Sequence, residues 1–269
     1  MIKQALTIAG SDSGGGAGIQ ADIKTFHAHG VFGASVLTAI TAQNTVAVTK
    51  AFDLPLDLIE SQLDAVFDDL DIAAAKTGML SSAPIVETVA AALNERGFEK
   101  LVVDPVMISK SGYRLLKDDA IESLKKRLLP LALVVTPNIH EAELLSGVRI
   151  DRVEKMKLAA GKISESGPRT VLVKGGHATF DRATDILYDG ANFHEFASEF
   201  IETKNTHGTG CTYSAAITAR LALGEPLLAA IGHAKTYITQ AITHALPIGK
   251  GHGPTNHFYF LGPNDFLKG

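Results

Sequence analysis

The feature that most constrains this chain is an alternation. Short apolar runs of strand character recur, each followed by a longer stretch with apolar residues at helical spacing. Such alternation marks βαβ units, and successive units build a mostly parallel sheet flanked by helices on both faces, an α/β fold. ALTIAG (5–10) reads as a first buried strand, followed by a glycine-rich turn and a helix over 16–29. SVLTAITAQ (35–43), AAAKTGM (73–79), LVVDPV (101–106), LVVTPN (133–138) and TVLVKGG (170–176) read as further strands. Helices are predicted over 55–70, 83–96, 117–129, 138–146, 151–166, 209–223 and 226–245. ATDILYDG (183–190) and NFHEFAS (192–198) read as a hairpin, because Asp189-Gly190 favours a tight turn. No repeat, low-complexity tract or linker interrupts the pattern, so one domain over 1–269 is expected.

Charge and cysteine content narrow the function classes. Lys and Arg number 25 against 29 Asp and Glu, a net charge of −4, so no general basic surplus exists to neutralise a nucleic-acid backbone or an anionic membrane. The first 20 residues hold no secretory apolar region, and no later run of 18 apolar residues occurs. A lone cysteine, Cys211, excludes an internal disulfide framework. The expectation is a soluble cytoplasmic protein.

In parallel sheets, ligands bind beyond the carboxyl ends of the strands. Six candidate strands end in polar or glycine-rich tails: Gly10-Ser11-Asp12, Gln43-Asn44-Thr45, Lys76-Thr77-Gly78, Asp104-Pro105, Thr136-Pro137-Asn138 and Lys174-Gly175-Gly176. One such tail is ordinary loop chemistry, whereas six along one sheet edge would form a site. The run from Ser11 to Gly18 lets backbone amides approach a ligand and leads into a helix. It matches neither a Walker A loop nor a G-x-G-x-x-G fingerprint, and a plain flexible connector explains it nearly as well.

The run NTHGTGC (205–211) is sharper. Glycines at 208 and 210 free N–H groups at the front of a helix, where the dipole favours an anion such as a transferring phosphoryl group. In that position the helix field lowers a thiol pKa, so Cys211 reads either as a thiolate base or as a small buried residue. Asp104 and the Asn138-Ile139-His140-Glu141 turn offer hard oxygen ligands suited to magnesium. Glu141, in a first helical turn, serves equally as a capping-box glutamate. Lys174 either meets a phosphate or ends a strand in solvent. The ten histidines lack zinc-ligand spacing and read as ordinary residues.

Taken in order, ALTIAGSDSGGGAGIQADIKTF (5–26), VLTAITAQNT (36–45), KTGML (76–80), VVDPVMISKSG (102–112), VTPNIHEAELLSG (135–147), VLVKGGH (171–177), NTHGTGCTYSAAI (205–217) and KGHGPTNHF (250–258) resemble the hydroxymethylpyrimidine/phosphomethylpyrimidine kinases of thiamine biosynthesis, within the ribokinase superfamily. The resemblance implies a ribokinase-like fold, ATP and Mg2+ as cosubstrate and metal, a homodimer, and two successive phosphorylations, of an alcohol and then of its monophosphate. It points to Gln43 as the pyrimidine-binding amide and to Gly10, Asp22, Met79 and Val106 as pocket residues. It makes Cys211 the base and places Gly208, Thr209 and Gly210 in the anion hole. Asp104 and Glu141 fall to magnesium and phosphate; Lys174, with Thr206 and Asn138, lies near ATP. Ser109 replaces the alanine common before the KSG lysine, a small departure, and residues 107–116 are a candidate lid. The rival reading is a pyridoxal kinase, disfavoured by Gln43, since the related pyridoxal kinases carry an apolar residue there. A catalytically silent nucleotide-binding protein on the same fold is a third reading.

Overall fold

The computed structural model of the chain describes residues 1–108, 112, 115–116, 118–176 and 183–262. Its strands are β1 (Gln4–Asp12), β2 (Phe32–Gln43), β3 (Val48–Asp53), β4 (Ile72–Thr77), β5 (Leu101–Val103), β6 (Val134–Val135), β7 (Thr170–Val173), β8 (Ala183–Tyr188) and β9 (Phe193–Ser198). They form one sheet in the order β3-β2-β1-β4-β5-β6-β7-β8-β9. The six strands from β2 to β7 in that order run parallel, while β3 closes one edge and β8 and β9 the other in antiparallel sense.

The helices are α1 (Gly18–Ala28), α2 (Leu56–Asp69), α3 (Ala83–Glu95), α4 (Asp118–Ser123), α5 (Ile139–Ser146), α6 (Val153–Ser164), α7 (Thr209–Ala222) and α8 (Leu227–Thr243). Two apolar clusters show how the layers close. Leu101 and Val103 of β5 pack into one with helical residues from α2 to α6, such as Leu63, Val89, Leu145 and Met156. Val102, between them, packs into the other with Phe26 of α1, Ile217 of α7 and Ile231 of α8. Alternate side chains of a strand point to opposite faces, so a strand covered on both faces must be apolar throughout, as Leu-Val-Val is. No helix among the described residues is long and apolar enough to cross a membrane.

The structure corrects the sequence reading in several places. Strand β3 was not anticipated: it pairs with β2 at an edge and leaves Thr49, Lys50 and Phe52 exposed, so it lacks the apolar alternation that marks a half-buried strand. Asn44 turns the chain into it, its side-chain oxygen accepting from the N–H groups of Val46 and Ala47. The helix expected over 117–129 is α4 followed by a π-helical turn at Leu124–Leu128 and a 3-10 turn at Leu129–Leu131. Pro130 cannot join a continuing α-helix, and the altered turns keep Leu124, Leu128 and Leu129 in the core. The strands predicted at 101–106 and 133–138 shorten to β5 and β6, each stopping before its proline. The predicted hairpin is β8-β9, where Asp189 accepts from the Ala191 and Asn192 N–H groups and Gly190 has a φ of 96°. Of the candidate lid, residues 109–111 and 113–114, with Ser109 and Lys110, lie outside the described residues, as does His177.

Candidate active site

Because six strands are parallel, their six polar tails lie at one edge of the sheet. There they wall a cavity of about 500 Å3 to which every tail contributes. The strand ends supply Gly10, Gln43, Met79, Asp104, Val106, Asn138 and Lys174. Asp22 comes from α1 and Glu141 from α5. The front of α7 supplies Thr206, Gly208, Thr209, Gly210 and Cys211. All fourteen sequence-predicted site residues therefore share one cavity wall.

At one end lies an acid–base cluster. The Lys174 ammonium donates to Asp104 Oδ1 at 2.9 Å, and Thr136 and Ser214 hydroxyls donate to the same carboxylate at 3.2 and 3.1 Å. Burial works to raise the Asp104 pKa, but Lys174, Lys76 and these donors overcome it and hold it below the usual carboxylate range. Glu141 is buried, and among the described residues it makes no ion pair. Desolvation, with Asp104 adding and Lys174 opposing, pushes it up to about 7. Asn138 and Glu141 also form a full capping box on α5: Asn138 Oδ1 accepts from Glu141 N–H at 3.0 Å, and Glu141 Oε2 accepts from Asn138 N–H at 2.8 Å. The ordinary reading of this turn is thus realised, on a carboxyl that still faces the cavity.

Cys211 sits on the same wall, half-buried. The expectation that the helix field lowers its pKa is overturned. Burial pushes the thiol up to about 12, the Asp22 and Asp104 carboxylates add to the rise, and Lys76 and the Gly18 N–H oppose it. In the ligand-free cavity Cys211 is a protonated thiol. The Lys76 ammonium is fully buried and bonds Asp22 Oδ1 at 2.8 Å. Burial favours its neutral form, but Asp22, Cys211 and Asp104 together hold its proton. Asp22 accepts from Thr7 as well, at 2.6 Å, so both its oxygens are taken and it acts on the cavity by holding Lys76.

The two glycine-rich runs differ from each other. Asp12 fills the first one from within: its carboxylate accepts from the N–H groups of Gly14, Gly16 and Ala17 at 2.8, 3.1 and 2.8 Å. The expectation that this run offers its amides to a ligand is therefore corrected, because the chain supplies the anion itself. In the second run Gly208 is the N-cap of α7 in left-handed conformation, with φ of 76°. A Cβ there would lie 1.7 Å from the Gly16 carbonyl oxygen, so only glycine allows the two runs to touch. The N–H groups of Gly210 and Cys211 carry no hydrogen-bond partner among the described residues and face the first-turn position where an anion is favoured.

With this geometry in place, comparison with known proteins is direct. The family model described as phosphomethylpyrimidine kinase matches residues 12–256. The chain belongs to this family. It is 48% identical over 260 residues to a hydroxymethylpyrimidine/phosphomethylpyrimidine kinase of Bacillus subtilis, covering 96% of each. It is 54% identical over 252 residues to the thiamine biosynthesis bifunctional protein ThiED of Geobacter sulfurreducens, covering 94% of this chain and spanning about half, 51%, of that relative. A Bacillus subtilis pyridoxal kinase solved as an ADP complex superposes with a TM-score of 0.90 at 41% identity, covering 97% of this chain and 99% of that one.

Within a phosphomethylpyrimidine kinase fold, four residues earn attention that sequence reasoning gave them no role for. Asp12 nests in the first glycine run, His207 bonds Asp12 at 2.8 Å, Lys76 holds Asp22, and Ser214 bonds Asp104. Only proximity to named motifs hinted at them, since Asp12 and His207 lie 195 residues apart in sequence. The donor set also fits magnesium with a phosphate chain. Among the described residues no three His, Cys, Asp or Glu side chains gather into a protein-only metal cage. Magnesium instead favours one or two carboxylates completed by water and phosphate. Asp104 and Glu141 are carboxylates on this wall suited to such a role, Glu141 with its pKa raised by burial to about 7.

Proposed function

We propose that this chain transfers the γ-phosphoryl group of ATP to the hydroxymethyl oxygen of 4-amino-5-hydroxymethyl-2-methylpyrimidine, and then to the phosphate of the resulting monophosphate, in the formation of thiamine diphosphate. One observation carries the reading: Gln43, Cys211, Asp104 and Lys174, drawn from distant parts of the chain, line one cavity. Gln43 offers an amide donor and acceptor matched to an aminopyrimidine edge. Gly10, Met79 and Val106 bound the ring, and the Met79 sulfur lies 3.2 Å from where a Cβ at Gly10 would be.

Gly210 and Cys211 amides, at the positive end of α7, receive the transferring phosphoryl oxygens. Lys174 meets the phosphates, with Thr206, Thr209 and Asn138 bordering them. Asp104 and Glu141 hold Mg2+, which supplies neutralisation of phosphate charge when bound. Phosphoryl transfer demands mainly positioning and charge stabilisation, and this wall provides both. Cys211 lies beside the acceptor hydroxyl as its proton acceptor. Because its resting form is the thiol, it must first release its own proton to solvent, and the protonated Lys76 is the cation that favours the resulting thiolate. We further infer one domain, a homodimer and a cytoplasmic location.

A pyridoxal-type alcohol is the second acceptor to consider, favoured by the 0.90 superposition on a pyridoxal kinase. An acceptor screen with MgATP, following product mass for the pyrimidine alcohol, its monophosphate and pyridoxal, tests the assignment. Preferential turnover of pyridoxal would reverse it.

A further inference from the structure

We propose that His207 is a positioning residue that fixes which way round Gln43 presents its amide, and thereby selects an acceptor ring carrying an amino group beside a ring nitrogen. This deepens the pyrimidine-kinase reading above and rests on it for the identity of the ring.

The argument begins at Asp12. A carboxylate accepting three backbone N–H groups is ionised, and although burial opposes this, His207 and those amides keep its pKa low. It can therefore only accept, so the proton in its 2.8 Å contact with His207 sits on His207 Nε2. In the structure the same Nε2 lies 3.4 Å from Gln43 Nε2, which sets one N–H donor against another. The oxygen and nitrogen of an amide are assigned from their partners, and a protonated ring nitrogen already bonded to Asp12 has no lone pair for an NH2, so the amide is turned over and its oxygen placed on this side. On the other side the structure has Gln43 Oε1 3.2 Å from the Thr41 hydroxyl, which would have to donate to it. Thr41 gives its one proton to the Ser11 carbonyl at 2.9 Å, so toward Gln43 it can only accept, and the group there is the NH2.

Two separate partners thus assign the same orientation. The amide keeps an oxygen lone pair on the His207 side and an N–H on the Thr41 side. An aminopyrimidine fits with its amino group toward the first and its ring nitrogen toward the second.

The supports are rigid. Ser13 pins the Gln43 backbone on both sides, its hydroxyl donating to Gln43 O and accepting from Gln43 N–H at 2.8 Å each. The His207 ring lies on Gly16 so closely that a Cβ there would come within 2.3 Å of His207 Cδ2. The terminal torsion of glutamine is soft and readily turns by half a rotation. Without the His207 N–H, nothing on that side distinguishes the two ends of the amide.

A double-mutant cycle tests this. His207→Phe keeps a ring against Gly16 without the N–H, Gln43→Ala removes the amide, and kcat/KM is read for the 4-amino pyrimidine alcohol and for the same alcohol lacking the amino group. With Gln43 present, His207→Phe should cost roughly tenfold for the amino-bearing acceptor and under about twofold for the other. In the Gln43→Ala background it should change neither. Equal losses for both acceptors in both backgrounds would show a merely structural role and overturn the proposal. If His207→Phe does not fold, 15N spectroscopy of ring-labelled histidine in the unaltered protein decides it without any substrate. A protonated Nε2 on His207 is expected, and a bare Nε2 would reverse the amide and end the proposal. Should the wild-type protein phosphorylate neither pyrimidine, the acceptor reading fails by itself, and the histidine spectrum still judges the Gln43 orientation.

Discussion

Two glycine-rich runs meet at this cavity, and they do opposite things with their backbone amides. In residues 11–18 the amides close on Asp12, an anion that the chain carries itself. At the front of α7 the Gly210 and Cys211 amides stay open toward the cavity. The closed run holds four glycines in residues 11–18 and the open one only two in 205–211, so glycine alone does not make an anion site. What decides is whether a carboxylate of the same loop reaches the amides first. The first run is a structural joint that holds His207 and Gln43, and the second is the place for phosphate.

The largest expected effect falls on the open run. Cys211→Ala should lower kcat by roughly 10^2- to 10^4-fold with KM nearly unchanged, as for loss of a proton-transfer group. Because the thiol is pushed up to about 12, the thiolate fraction grows as pH rises, so wild-type kcat should climb between pH 7 and 9. A flat profile over that range, read in steady-state kinetics, would remove the thiolate from the chemistry.

Next comes the closed run. Asp12→Ala strands His207 and three amides, of which that of Gly16 is buried, and should reduce unfolding free energy by about 2–4 kcal/mol in a denaturant titration. A loss below about 0.5 kcal/mol would mean the first run does not depend on its internal anion.

Glu141 gives a smaller, pH-dependent effect. Its pKa is about 7 folded and 4.5 as a free side chain. A raised folded pKa favours the native state below 4.5, and that favour is lost as pH rises through about 7. Free of ligands, the wild-type protein should therefore lose on the order of 2–3 kcal/mol across that window relative to Glu141→Gln. Glutamine keeps the capping box, so thermal melts of the two proteins at several pH values isolate the carboxyl.

The smallest effect separates the two runs most cleanly. A Cβ at Gly210 would sit 3.4 Å from Lys174 Nζ, in ordinary contact but within the phosphate space. Gly210→Ala should raise stability by about 0.5–1 kcal/mol, through helix propensity, while lowering kcat/KM for ATP roughly tenfold. A stability loss instead would place Gly210 with the closed run.

Much of this was legible in the residues. Apolar runs such as Leu-Val-Val at 101–103 must be covered on both faces, which dictates a parallel sheet between helix layers, and the polar residues after each run then fall on one edge. Edge strand β3 escaped notice because Thr49, Lys50 and Phe52 face solvent and bear no buried pattern. The Cys211 thiol escaped because a helix front predicts a lowered pKa, whereas burial beside two carboxylates raises it.

The order of elements, the edge that carries the site and the kinds of side chain on it were thus set by local pattern, since period and turn chemistry act over a few residues. Which amides are already spoken for, which acid is pushed up by burial and which groups meet the Gln43 amide were decided by tertiary structure alone. Those properties depend on contacts between residues as distant as Asp12 and His207, and no spacing in the chain records such a meeting.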